Sequence, residues 1–298
     1  MKYPKSPALG ITLLLQLFLF AVAVIIESYV YASLSLATRL GLSCITAALV
    51  FGAPFLAYIL LTKQRPKDLL VCATTSNDRT RNPKKLALEF ILASALTVAA
   101  VNAVGNLTSF IAKLLGNESA AVIPTNISES ALFFLRNVLF AAVLEELIFR
   151  GVILNASAGH SRIKRIMISA TLFALMHCSL QQLPYAFVGG ILIAYFALRS
   201  GSILFAIGVH LTQNAVTFVF TVLQSKLDPS ALRLTSDVTF IAFSVIGIIA
   251  LGYFIFEEVK ASKEAMIDPV TDEKAEKLLS LPLIAYVILT AVITALTF

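Results

Sequence analysis

Residues 131–155 read ALFFLRNVLFAAVLEELIFRGVILN, an apolar run that contains two adjacent carboxylates, Glu145 and Glu146, and two arginines, Arg136 near its start and Arg150. About 20 mostly apolar residues in a helix cross a hydrocarbon core about 30 Å thick, so the run is long enough to span a membrane. A charge at the bilayer centre costs at least about 2.5–3.5 kcal/mol. These charged residues therefore need a structural or functional reason for their position.

Eight further apolar stretches accompany this one, at 8–32, 41–62, 86–114, 166–181, 184–199, 202–223, 236–256 and 281–298. The stretches at 166–181 and 184–199 are short, and the one at 281–298 is the weakest of the set. The pattern predicts an all-α fold, a polytopic integral membrane helical bundle of eight or nine transmembrane helices. We expect residues 1–298 to form a single membrane domain.

The composition agrees, because 58% of the 298 residues are hydrophobic and 13% are charged, whereas about a quarter are charged in soluble domains. Of the 23 lysines and arginines, 17 fall on one face of the nine-span arrangement. This asymmetry predicts that the N-terminus and the basic loops are cytoplasmic. The net charge of +6 then reflects topology and contact with membrane lipid, and nucleic acid is not an expected partner.

The charged residues of 145–150 divide into an ion pair and one unpaired carboxylate. Glu146 and Arg150 are four residues apart, so on a helix they share a face and can form a structural ion pair. Glu145 has no such partner on its own helix. An unpaired carboxylate in an apolar setting is a candidate general base. The alternative is a structural charge cluster that joins helices.

Two of the three histidines, His177 and His210, also lie in apolar stretches, and Asn214 follows His210 by one helical turn. Measured from the cytoplasmic end of each span, Glu145, His177 and His210 lie roughly 15, 17 and 12 Å deep. The sequence thus predicts that Glu145, His177, His210 and Asn214 line one cavity in the cytoplasmic half of the bilayer.

This set of residue types suits amide hydrolysis by an activated water. Glu145, assisted by His177, would take a proton from water and return it to the leaving amine. His210 and Asn214 would donate hydrogen bonds to the tetrahedral oxyanion. The helices over residues 131–223 would then form the catalytic core.

Three patterns in this order, Glu145-Glu146-x-x-x-Arg150, Phe173-x-x-x-His177 and His210-x-x-x-Asn214, resemble the motifs of the CAAX protease and bacteriocin-processing family of intramembrane endopeptidases. The resemblance implies that Glu145 activates water, that His177 assists it, that His210 and Asn214 form the oxyanion site and that Phe173 packs within the motif. It implies a peptide or membrane-associated protein substrate, cleaved near the cytoplasmic face. It also implies a bacterial plasma membrane protein with a role in peptide or bacteriocin processing or in self-immunity.

Cofactors are not expected, since a metal-free mechanism accounts for all four residues. The alternative is a zinc site built from Glu145, His177 and His210, because histidine and carboxylate side chains are common zinc ligands. The chain has no HExxH motif, and Asn214 would be an unusual zinc ligand.

Two rival functions use the same residues. A transporter or proton relay also buries glutamate and histidine within its spans. The Glu146–Arg150 pair and the lack of an internal repeat weigh against that class. A catalytically silent immunity or scaffold protein would keep the motifs for packing alone, and only a measurement of activity separates it from an enzyme.

Overall fold

A computed structural model describes residues 6–72, 82–116, 122–265 and 280–296. Within these ranges the chain is helical and contains no β-strand; Val71 and Ser202 form an isolated bridge. The α-helices run as follows: α1 (Ser6–Tyr29), α2 (Leu36–Thr62), α3 (Pro83–Leu114), α4 (Ile127–Phe134), α5 (Arg162–Met176), α6 (Leu183–Ser200), α7 (Ile203–Leu223), α8 (Pro229–Ala265) and α9 (Leu281–Leu296). Short 3-10 helices cover Tyr31–Ser33 and Pro66–Leu70.

Several helices begin at a polar residue whose side chain accepts a hydrogen bond from a backbone N–H of the first turn. Ser35 caps α2 in this way, Asn82 caps α3, Asn126 caps α4 and Ser202 caps α7. Such caps satisfy donors that have no partner inside the helix. Gly201, with φ of 69°, ends α6 in the left-handed conformation that favours glycine.

Among the described residues, six helices are long and apolar enough to cross a membrane, namely α1, α2, α3, α6, α7 and α8. The prediction of an all-α polytopic membrane bundle is confirmed. The described parts of the stretches predicted at 166–181 and 281–298 contain only short helices, since α5 has 15 residues and α9 has 16. Both are shorter than the roughly 20 residues that a typical span needs.

The fourth predicted span, 131–155, differs from the expectation of one regular α-helix. After α4 the chain continues as two π-helical segments, Leu135–Glu145 and Leu147–Leu154, which we call the first and second π segments. A π-helix bonds i→i+5 instead of i→i+4; it is rare, and it occurs frequently at functional sites. Glu145 ends the first segment, and Glu146 lies between the two.

Two apolar clusters hold the bundle together. One packs α1, α2, α5 and α9 around the second π segment, and the other packs α3, α6, α7 and α8. The second π segment contributes to both clusters through Ile148 and Leu154, which are fully buried. The residues next to Glu145 and Glu146 are therefore fixed at the centre of the molecule.

An ion-pair network closes one end of the bundle, which we call the basic end. Arg199 on α6 contacts Glu89 of α3 at 2.8 Å and Glu258 of α8 at 3.0 Å, and Arg162 of α5 contacts Glu258 at 2.7 Å. Charged groups that pair in this way tie four helices together. The predicted cytoplasmic orientation of this end stays a prediction, and Lys2, Lys5, Arg79, Arg81, Lys274 and Lys277 lie outside the described residues.

Candidate active site

The ion pair that the sequence predicts within the fourth span is present. Nη1 of Arg150 donates to Oε1 of Glu146 at 2.7 Å, and both side chains are fully buried. A buried pair of this kind persists only where further hydrogen bonds satisfy its remaining polar atoms. The surrounding helices provide some of these hydrogen bonds.

Arg150 is held by two helices besides its own segment. Its Nη2 donates to the backbone oxygen of Gly190 on α6 at 3.0 Å, and its guanidinium lies 4.7 Å from the ring centre of Phe173 on α5. A Cβ at Gly190 would lie 3.0 Å from the Cα of Ala170, so only glycine allows α5 and α6 to approach this closely. Phe173, which the resemblance places in the motif for packing, thus also contacts the arginine through its ring face.

His210 on α7 contacts both carboxylates. Its Nδ1 lies 2.9 Å from Oε1 of Glu146, and its Nε2 lies 3.9 Å from Oε2 of Glu145. Because Glu146 is paired with Arg150, its carboxylate accepts, and Nδ1 of His210 carries a proton. The arrangement leaves Nε2 directed toward Glu145.

His177 follows the last residue of α5, and its ring nitrogen Nδ1 lies 2.9 Å from the backbone oxygen of Phe173. A carbonyl oxygen only accepts hydrogen bonds, so Nδ1 is the donor and the neutral ring presents the lone pair of Nε2. The ring of Phe173 lies 5.0 Å from that of His177 and 5.9 Å from that of His210.

Asn214 lies one turn beyond His210 on α7 and is partly buried. Its side chain makes no hydrogen bond with any described residue, so the two N–H donors of its amide are not used within the described part of the chain.

Its neighbour Gln213 is buried at 7% exposure, and Oε1 of that amide has no partner in the described part of the chain. No motif singled out Gln213, although its position three residues after His210 places it on the same helical face.

The structure therefore brings Glu145, Glu146, Arg150, Phe173, His177 and His210 together. The side chain of Glu145 keeps 12% exposure, whereas that of Glu146 has none. Glu145 is the carboxylate that retains access to a small molecule such as water. The catalytic roles of Glu145, His177, His210 and Asn214 stay predictions.

A zinc site fits this geometry poorly. Within the described ranges, no group of three or more histidine, cysteine, aspartate and glutamate side chains is placed to hold a metal ion. The alternative set of Glu145, His177 and His210 is thus not assembled as a ligand set. We derive no chemical step through zinc.

The contacts between distant residues escaped the sequence-based prediction. Examples are the bond from His210 to Glu146, 64 residues away, and the bond from Arg150 to Gly190, 40 residues away. For the contact between His210 and Glu146, the one signal in the sequence was the unusual number of ionisable residues on apolar helices. No pattern pointed to the backbone oxygen of Gly190.

The fold and the site together define an all-α integral membrane protein with a buried cluster of glutamate, histidine and arginine. Residues 127–216 match the family model described as Type II CAAX prenyl endopeptidase Rce1-like. The match confirms the family resemblance, and the family is one of peptidases. Searches of the curated proteins and of the solved structures gave no match to this chain.

Proposed function

We propose that this protein is an intramembrane endopeptidase of the CAAX type, which hydrolyses a peptide bond with a water activated by Glu145 and His177. The observation that carries the proposal is the difference between the two adjacent carboxylates. Glu146 is fully enclosed and bonded to Arg150 and His210, whereas Glu145 keeps partial exposure next to the same histidine. One carboxylate is thereby structural and the other is available for chemistry.

In the proposed reaction, Glu145 takes a proton from a water molecule that also contacts Nε2 of His177. The oxygen of that water attacks the carbonyl carbon of the peptide bond, and the carbonyl oxygen becomes an oxyanion. Glu145 then gives the proton to the nitrogen as the C–N bond breaks. One water is consumed, and a carboxylate and an amine are released.

Asn214 and His210 are the proposed donors to the oxyanion. The amide of Asn214 donates through Nδ2, and its side chain is not engaged by other described residues. Because Nδ1 of His210 donates to Glu146, Nε2 donates to the oxyanion only when both ring nitrogens carry a proton. Removal of one oxyanion donor costs about 10²–10³ in turnover in known enzymes.

The proposed substrate is a peptide or a membrane-associated protein, cleaved near the cytoplasmic face. The family model supports a protein with a prenylated cysteine near its C-terminus as one substrate class. For a chain of a bacterial plasma membrane, the resemblance favours peptide or bacteriocin processing or self-immunity.

Comparative proteomics of membranes tests this proposal on many membrane proteins at once, so no single substrate has to be chosen. Membranes from cells that express the intact protein are compared with membranes from cells that express Glu145→Ala. We expect new peptide termini that depend on Glu145. Identical termini in both samples, with equal amounts of folded protein, would contradict the proposal.

A further inference from the structure

A cavity of about 330 Å³ opens at the end of the bundle opposite the basic end. It lies between the end of α1, the start of α2, the first π segment and the end of α7. Thr221, one of its lining residues, is 18 residues beyond Ile203, which begins α7 beside the basic end. At 1.5 Å per residue this separation is about 27 Å, close to the thickness of a hydrocarbon core.

Two arginines line this cavity, and their donors are incompletely used. Arg39 is exposed, and its side chain forms no ion pair or hydrogen bond with a described residue. Arg136 donates from Nη1 to Asn137 at 2.8 Å and lies 3.8 Å from Glu27, yet its buried Nε has no partner among the described residues. Thr46 also donates to Glu27, at 3.1 Å. The two arginines outnumber the one carboxylate, so the cavity attracts an anion.

Besides the charged residues, the lining consists of five apolar or aromatic residues and of the polar residues Ser43, Asn137 and Thr221. Tyr31, Leu36, Leu40, Val122 and Phe133 surround the arginines. An occupant that satisfies both parts of the wall has an anionic group attached to an apolar body. The cavity also lies at the ends of apolar helices, the level at which lipid headgroups meet a membrane protein.

We propose that this cavity binds the phosphate group of a membrane phospholipid, with Arg39 and Arg136 as its donors. The planar guanidinium presents several N–H groups in the geometry that a phosphate accepts. The apolar residues would contact the glycerol and the first acyl carbons. This binding site is separate from the candidate active site and does not depend on the proposed peptidase activity.

The position of the cavity connects it to the helices of the candidate active site. Arg136 belongs to the same π segment as Glu145. On α7, Thr221 is about two turns beyond Asn214 and about three turns beyond His210, so these residues share one helical face. A bound phospholipid would thus rest on the two elements that carry Glu145 and His210.

The test uses the full-length protein, stripped of lipid in a maltoside detergent that has no phosphate. Binding of dioctanoyl phosphatidylglycerol is measured by native mass spectrometry and by thermal shift. Dioctanoylglycerol, which has the same chains without phosphate, and inorganic phosphate are the comparison ligands. We expect phosphatidylglycerol to bind and to raise the melting temperature, and both comparison ligands to bind at least tenfold more weakly.

Arg39→Gln is the decisive variant, because the guanidinium of Arg39 has no partner in the described structure and its loss should leave the fold intact. We expect about a tenfold or greater loss of phosphatidylglycerol affinity, the usual effect of removing a hydrogen bond to a charged group. Arg233→Gln is the matched control, since Arg233 is an exposed arginine at the start of α8, at the same end but outside the cavity. Arg136→Gln provides a second variant.

Equal losses in Arg39→Gln and Arg233→Gln would overturn the proposal, because a general surface charge would then explain the binding. Equal affinity for phosphatidylglycerol and dioctanoylglycerol would also overturn it. Inorganic phosphate that binds as tightly as phosphatidylglycerol, and that depends on Arg39, would reject the lipid and assign the cavity to free phosphate.

Discussion

His210 is bonded to Glu146 and only approaches Glu145: its Nδ1 lies 2.9 Å from Oε1 of Glu146, whereas its Nε2 lies 3.9 Å from Oε2 of Glu145. The carboxylate of the ion pair therefore fixes the orientation of the imidazole. Since Arg150 fixes Glu146 in turn, a continuous series of contacts leads from the backbone oxygen of Gly190 to His210.

This series gives the three motifs one physical explanation. Glu146 and Arg150 belong to the first motif, Phe173 packs on Arg150 from the second, and His210 comes from the third. Each buried polar side chain orients the next one, so none acts alone. Substituting one residue of the series should therefore also change the orientation of the residues that it contacts.

Replacing Arg150 by alanine should destabilise the fold by about 3–5 kcal/mol, because Glu146 would remain as a buried charge that has lost its cation. Unfolding in mixed detergent micelles, followed by circular dichroism, measures the change. Arg162→Ala is the control: Arg162 is 39% exposed in its pair with Glu258, and an exposed pair contributes about 1 kcal/mol or less. A loss for Arg150→Ala no larger than that for Arg162→Ala would contradict the buried-pair interpretation.

The close approach of α5 and α6 predicts that Gly190→Ala is harmful. The new Cβ would lie 3.0 Å from the Cα of Ala170 and 3.2 Å from Cδ1 of Phe173, so the ring next to Arg150 would have to move. The matched control is Gly252→Ala on α8, where a Cβ has no neighbour within 4 Å. We expect Gly190→Ala to be less stable than Gly252→Ala by about 1–3 kcal/mol, a usual cost of overpacking. Similar melting temperatures for the two variants would reject the packing role.

Metal dependence separates the two mechanisms that the sequence leaves open. We expect the purified protein to keep its peptidase activity after prolonged treatment with a strong chelator, because the predicted activation of water needs only Glu145 and His177. Elemental analysis should find well under one zinc per chain. Stoichiometric zinc whose removal and return switch the activity off and on would overturn the metal-free mechanism and leave the peptidase assignment in place.

Asn214→Ala should lower turnover about 10²–10³-fold with little change in KM, the result expected when a donor acts mainly in the transition state. The side chain of Asn214 makes no hydrogen bond with the described residues, so the variant should fold normally. Thr217→Ala, one turn further along α7, is the control, because its hydroxyl donates only to the backbone of Gln213. A rise in KM at unchanged turnover would instead assign Asn214 to substrate binding.

Much of the fold was predictable because long apolar stretches have few alternatives to membrane helices. The Glu146–Arg150 pair was predictable from its spacing, since residues i and i+4 share a helical face even near a change of helix type. The meeting of Glu145 and His210 followed from their similar depths in neighbouring spans.

Other features depend on packing that no local pattern encodes. The pattern of apolar residues does not show whether a helix forms i→i+4 or i→i+5 backbone hydrogen bonds, so it does not predict the two π segments. Glu89, near the start of an apolar stretch, is 2% exposed and pairs with Arg199, 110 residues away, a contact that its local sequence does not indicate. The rotamer that joins His210 to Glu146 likewise depends on how α7 packs against the π segments.

The central claim, that Glu145 is the base that activates water, is tested most directly by Glu145→Gln in proteoliposomes. Glutamine keeps the shape of the side chain and its hydrogen bonding but cannot take a proton from water, so we expect no peptide cleavage by mass spectrometry and an almost unchanged melting temperature. Asp237→Asn, an exposed carboxylate at 64% exposure, should retain full activity. Near-normal turnover by the folded Glu145→Gln variant would contradict the account.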